Sequence, residues 1–198
     1  MKKFELTSET KINIFGKKLF RIKALISFAD VEAGETGGWV EKEGNVNQSG
    51  NAWVYGDAMV YGDAMVSGDA MVSGNAMVSG NAKVSGNAKV SGNAKVYGNA
   101  MVSGNAKVSG NAKVYGNAMV YGNAKVYGNA DYTTIHGFGT QFRTTTFFRC
   151  KDKKVRVACG CFFGTIPEFR EQVKNTRKGK IAEEYLMIAD LMEKHFEK

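Results

Sequence analysis

Val84-Ser85-Gly86-Asn87-Ala88-Lys89 is followed at once by Val90-Ser91-Gly92-Asn93-Ala94-Lys95, and the two hexads differ at no position. Outward from this pair, glycine recurs at every sixth position from Gly50 to Gly128, fourteen times, and Gly38 and Gly44 fall in the same phase. Each unit reads Gly, then Asn or Asp, then Ala, then Met, Lys or Trp, then Val, then Ser or Tyr. A fixed short period has to be interpreted before any other feature, because it dictates the architecture. Within a unit, Ala82-Lys83-Val84-Ser85 alternates inward and outward character, so Ala and Val share one face of a short strand. The Gly-Asn pair is a turn, since glycine takes the left-handed conformation without steric penalty and Asn tolerates it. A β-meander is the rival reading of a two-residue Gly-Asn break. Identical units stack most simply as identical coils, which favours a solenoid.

The pattern resembles the hexapeptide-repeat family, whose motif is an aliphatic residue, a small one, two of any kind, a small one and another of any kind; Val84-Ser85-Gly86-Asn87-Ala88-Lys89 fits it. The resemblance implies an all-β solenoid, a left-handed parallel β-helix of about five coils over residues 38–132 with three hexads per coil. Residues eighteen apart then lie above one another. One column carries Trp53, Met71, Lys89, Lys107 and Lys125; a second Met59, Met77, Lys95 and Lys113; a third Met65, Lys83, Met101 and Met119. Methionines facing outward in a stripe mark an interface, and the resemblance implies a homotrimer.

Both ends of such a prism expose core and need caps. An N-terminal β cap is expected over residues 1–37, from β-like runs at Lys11–Phe15 and Leu19–Ile26 around Gly16, with Trp39 and Val40 leading into the first degenerate hexads. A C-terminal ββαα domain is expected over 133–198. Its strands run Thr144–Cys150 and Val155–Cys161, and its first helix starts near Thr165, where Thr165 and Glu168 have capping-box spacing, and ends at Gly179. The last helix, about Ile181–Phe196, buries Ile181, Tyr185, Ile188 and Met192. The Thr-Thr-Phe-Phe-Arg and Cys-Gly-Cys-Phe segments of this tail are similar to those of small hexapeptide proteins from phages and mobile elements, many labelled polymer-forming or cytoskeletal-like.

The net charge of +8 is uneven: residues 131–180 hold 11 basic against 4 acidic groups. The cationic zone thus begins where the repeats end, pointing to an anionic partner there. No apolar run approaches the roughly 20 residues that cross a bilayer, and the start, Met1-Lys2-Lys3-Phe4-Glu5, turns polar where a signal peptide is apolar. With three cysteines, an odd number, no disulfide framework is expected, and the location expected is the cytoplasm of a bacterial host, with no membrane partner.

Acyl transfer is the largest enzymatic use of the family's fold and needs a histidine base. Only His136 and His195 exist, and no long loop interrupts the hexads. A γ-class carbonic anhydrase needs three histidine ligands, and the repeats contain none. Cys159-Gly160-Cys161 lacks the spacing and ligand number of a structural zinc site. No phosphate-loop or dinucleotide fingerprint is present, so neither enzyme activity nor a cofactor is expected. What remains is recognition. Arg143, Arg149, Lys153 and Arg156, with Thr144, Thr145, Tyr132 and His136, surround Phe147 and Phe148 and suit a small anionic, nucleotide-like ligand such as a cyclic nucleotide. The competing reading makes the phenylalanines core and the cations plain surface. The leading function is therefore a non-catalytic trimer that sequesters such a ligand, an anti-defence sponge for an immune second messenger given the phage resemblance. The alternatives are a polymer-forming scaffold, an inhibitor that docks its tail on a host protein, and an acyltransferase. Nucleic acid is not an expected partner, because no reader motif appears.

Overall fold

A Gly-Asn corner every six residues leaves each side of the coil two strand residues, and this spacing governs the computed structural model, which describes residues 2–197. Three longer strands come first, β1 (Phe4–Ile12), β2 (Lys18–Ala24) and β3 (Thr36–Val40). Thirteen strands of two residues follow, from β4 (Trp53–Val54) to β16 (Lys125–Val126). Each pairs in parallel with the strands eighteen residues away: Lys89 with Met71 and Lys107, Lys95 with Met77 and Lys113, Met101 with Lys83 and Met119. Three sheets result, one of them five strands deep, so the rod winds about five times and the expected columns form. The alanines and valines of the hexads fill its interior, shut off from solvent. Glycine is required at the corners for two reasons. From Gly50 to Gly122 its φ lies between 59 and 73, and a Cβ on Gly86 would sit 3.0 Å from the nitrogen of Gly104 in the next coil.

The first coil departs from the expected phase. Trp39 and Val40 pair with Met59 and Val60, and Val46 with Val66, twenty residues on rather than eighteen. The shared phase of Gly38 and Gly44 is therefore coincidental. Two extra residues lie between Val46 and Val54, and Gln48 in this widened corner grips the cap: its Oε1 accepts from Lys3 N and Phe4 N, and its Nε2 donates to Phe4 O. The cap hairpin is also longer than the sequence suggests, because β1 begins at Phe4 and extends the second face beyond β3. Trp53 is not an outward residue; Phe4 and Phe28 of the cap close over it edge-on and bury it.

Hydrogen-bond polarity decides what each end needs. Along the rod the N–H groups of the corner Asn, of the outward strand residue and of the Ser or Tyr donate to carbonyls in the coil that follows, as from Asn87 to Gly104, Lys89 to Ala106 and Ser91 to Val108, while an Ala N–H such as that of Ala88 stays within its coil on Ser85 O. The first coil therefore presents carbonyls without donors and the last coil N–H groups without acceptors, and buried groups of either kind are costly. At the first coil Lys3 Nζ donates to Gly50 O and Ala52 O, Asn45 Nδ2 to Gly62 O and Ala64 O, and Arg21 Nη1 to Gly56 O. At the last, oxygens do the work: Lys113 N donates to Asn129 Oδ1, Met119 N to Thr146 Oγ1 and Tyr127 N to Asp131 Oδ2. One such cap serves each sheet.

Lys3 is buried, and desolvation pulls its ammonium down to about 8 from an ordinary 10.5. A neutral amine still has two N–H groups, enough for its two carbonyl partners. Between pH 8 and 10.5 the unfolded chain holds a proton that the folded chain lacks, so this residue makes unfolding free energy rise with pH across that window. In urea titrations the advantage of wild type over Lys3→Met should grow by roughly 2 kcal/mol between pH 7.5 and 10, a difference in which every other titrating group cancels.

Beyond the rod come β17 (Tyr132–Phe138), β18 (Arg143–Arg149), β19 (Val155–Cys159) and β20 (Phe162–Thr165), an antiparallel sheet in that order, then α1 (Ile166–Thr176) and α2 (Gly179–Phe196). The tail thus has four strands where two were expected. Tyr132–Phe138 reads as an exit loop because glycines follow it, yet it pairs with β18, Tyr132 opposite Phe148 and Thr134 opposite Thr146. The Thr165–Glu168 capping box forms as expected. Gly179 does not end α1, which closes at Thr176 with Arg177 N on Val173 O; it opens α2 instead. Phe147, Phe169, Val173, Tyr185 and Ile188 build a second core under the helices, while Phe148 joins the core of the rod.

Candidate ligand-binding groove

The eight residues expected to surround a ligand do not form one site. Strand β18 lies between β17 and β19, with the rod on one face and the helices on the other, so alternate side chains are covered on both faces. Thr145 is buried and bonds to Cys159 Sγ at 3.1 Å, which removes it from any ligand, and Phe147 and Phe148 are core rather than stacking surfaces. Arg149 is spent on structure: Nη2 donates to Phe196 O at 2.6 Å, and the guanidinium lies over the Phe196 ring. Arg149 and Lys153 face a depression beside the start of α1, and Arg156 lines another, paired with Asp152 at 2.8 Å. His136, Arg143 and Thr144 do come together, in a shallow hollow of about 240 Å³. His136 is exposed there, its Nδ1 3.3 Å from Thr144 Oγ1. A hydroxyl does not orient a general base as a carboxylate would.

The eighth residue, Tyr132, lines the groove with the most suggestive chemistry, a space of about 440 Å³ where the second face of the rod meets β17. Its construction follows from the repeat. Tyr97 and Tyr115 are eighteen residues apart, so their rings stack, 5.3 Å between centroids and 11° from parallel. The next residue in that series is Thr133, which has no ring, so the stack stops at the mouth of the rod. Lys113 precedes Tyr115 by two and emerges on the same face, and Asn129, Thr133 and Thr134 complete the wall. Tyr115 is half exposed, whereas Tyr132 is buried, and burial holds its phenol well above the usual tyrosine range, a neutral group at any physiological pH. The groove offers a ring to stack on, one cation and several hydroxyl and amide groups. Lys95 and Lys113 stand in the second column, and Tyr97 and Tyr115 follow them by two residues; none of these is among the eight residues expected to bind. The usable signal was a tyrosine ladder that ends with the repeat.

The thiols differ in reactivity. Burial pushes Cys150 up to about 11, Cys159 is held by Thr145, and Cys161 is exposed in the turn between β19 and β20. Since the thiolate is the nucleophile, iodoacetamide at pH 7.5 should label Cys161 first and leave Cys150 unmodified until the protein unfolds, as peptide mass mapping would show. Among the described residues no three His, Cys, Asp or Glu side chains are grouped to hold a metal ion, and no helix is long and apolar enough to cross a membrane.

The rod itself has a known likeness. The family model described as YdcK Beta solenoid repeat matches residues 52–68, 58–74, 64–80, 70–86, 94–110 and 112–128. This chain is a repeat β-helix protein. Each match spans 17 residues, close to one coil, and successive matches begin six residues apart in the first four, the hexad step of the strands. The matches stop at 128, where the β-helix gives way to the tail, so they describe the scaffold and leave the mouth to its own chemistry. A search of curated proteins found none that the chain matches.

Proposed function

We propose that this β-solenoid is a non-catalytic binding protein that takes up a small anionic ligand with a planar ring, of nucleotide type, at its C-terminal mouth. The observation that carries this is the stacked Tyr97–Tyr115 pair ending in an open groove beside Lys113. A nucleobase continues the stack and its phosphate meets the lysine; base–aromatic stacking contributes about 1–3 kcal/mol per ring. The groove holds no activated nucleophile or oriented base, so holding the ligand, not converting it, is the activity its residues support. Sequestration of a cyclic-nucleotide signal is the biological role we infer from the resemblance of the tail segments to those of phage proteins. Side-by-side trimerisation through the third face, where Met65 and Met101 are exposed, would present three such grooves. A thermal-shift panel of adenosine monophosphate, a cyclic dinucleotide and ADP-ribose tests the reading: at least one should raise Tm, and a flat response to all three would end it.

A structural scaffold is the second reading, favoured by apolar side chains at both ends of the molecule. Ile12, Ile14 and Phe15 project from the tip of the cap hairpin, and Met187 and Leu191 from the outer face of α2. Light scattering separates the two: a fixed mass at three times 21.5 kDa supports the trimeric binder, and a mass that climbs with concentration supports the scaffold.

A further inference from the structure

A separate cleft of about 510 Å³ opens where the last Gly-Asn corner of the rod meets the β18–β19 turn. Gly122 and Asn123 form one wall, Lys151, Asp152 and Arg156 the second, and Phe163 of β20 the third. Three features there lack partners. Corner Asn N–H groups from Asn75 to Asn105 donate to a glycine carbonyl in the following coil, as from Asn87 to Gly104 and from Asn105 to Gly122, whereas those of Asn111, Asn117 and Asn123, nearest the mouth, do not. Asn123 has no following coil, and none of the three oxygen caps at this end serves it. Arg156 commits Nη2 to Asp152, while Nη1 has no partner at all. Lys151 makes no ion pair among the described residues. Over these groups stands Phe163, nearly half exposed although its neighbours Tyr121 and Phe148 are aromatic and mostly covered.

Unsatisfied backbone N–H groups at the end of an aligned ladder carry partial positive charge, for the reason that helix N-termini do, and they gather anions when side-chain cations stand beside them. A ring wall adds a place for an apolar body. We propose that this corner is a second binding site, for a small ligand that joins an anionic oxygen group to a flat aromatic body. The anion lies against Asn123 N–H and Lys151 and draws Arg156 Nη1 into the bond it lacks; the ring lies on Phe163. Asp152 is the one opposing charge and is already neutralised by Arg156. The site is independent of the tyrosine groove, which belongs to another face, and of the function proposed for it.

1-Naphthyl phosphate, with both parts, is the probe, titrated calorimetrically into the full chain. The expected result is binding in the wild type, with inorganic phosphate and 1-naphthol each at least tenfold weaker. Tyr115→Ala, which removes the exposed ring of the tyrosine groove, should still bind the probe, and in that background Lys151→Ala and Phe163→Ala, both at exposed positions, should each weaken it at least tenfold. No heat in the wild type overturns the proposal, as does unaltered affinity in both Lys151→Ala and Phe163→Ala. Equal affinity for 1-naphthol overturns the anion's part in it. Loss of all binding in Tyr115→Ala places the probe in the other groove and also overturns it.

Discussion

Asp in place of Val90 is expected to abolish the cooperative thermal transition of the rod. Val90 is fully buried between Val72 and Val108 in the middle coil of its sheet, and what surrounds it is alanine and valine. A carboxyl there has no donor to meet, and burying it unpaired costs about 4 kcal/mol or more. The architecture magnifies the loss. In a solenoid each coil is stabilised only by its neighbours, so a failed central coil separates two short stubs, each with a newly exposed core. Circular dichroism should show a broad melt starting well below that of the wild type. Lys89→Asp, one residue away on the outward face, should stay within about 0.5 kcal/mol of wild type. Similar losses from the two substitutions would mean that the alternation of inward Val and outward Lys is wrong.

Trp53→Ala should be nearly as damaging, for a different reason. The indole is wholly buried, plugs the N-terminal mouth, and meets Phe4 and Phe28 edge-on at 5.9 and 5.4 Å between ring centroids. Gly37 passes so close that a Cβ there would lie 2.6 Å from it. Removing a packed aromatic of this size costs about 3–5 kcal/mol, and it unseats the cap whose Lys3 supplies donors to Gly50 and Ala52. The urea midpoint should fall accordingly, and trypsin should cut within residues 2–35 while the rod persists. Resistance of that segment in the variant would show that the cap folds independently of the plug.

The contrast between these two sites explains what the sequence discloses. The rod was legible because each hexad repeats the same physical instruction: a glycine that takes positive φ, two inward residues that fill a fixed volume, and one outward residue free to vary. The columns read from spacing are the columns observed. Where the period is broken, legibility fell. Gly38 and Gly44 kept the phase by accident while two inserted residues shifted the register, and nothing in composition marks Gln48 as a clamp. The tail misled in a more general way. Arg149, Thr145 and Phe147 are the residue types of a nucleotide site, but they are also what a strand covered on both faces requires, and strand pairing decides between the two. Thr146 and Asn129 look like ordinary surface until the direction of the ladder shows that the last coil lacks acceptors. The groove at the mouth needs both kinds of information, the period that stacks Tyr97 on Tyr115 and the fold that brings Tyr132 and Thr134 beside them.

That groove is where we propose the ligand binds, and calorimetric titration of a cyclic dinucleotide into wild type and Tyr115→Ala tests the proposal most directly. Stoichiometric binding by the wild type, weakened at least tenfold when the exposed ring is removed while the melting temperature of the free protein stays the same, is the result expected from a base stacked on the end of the ladder. Equal affinity in the two proteins would contradict it.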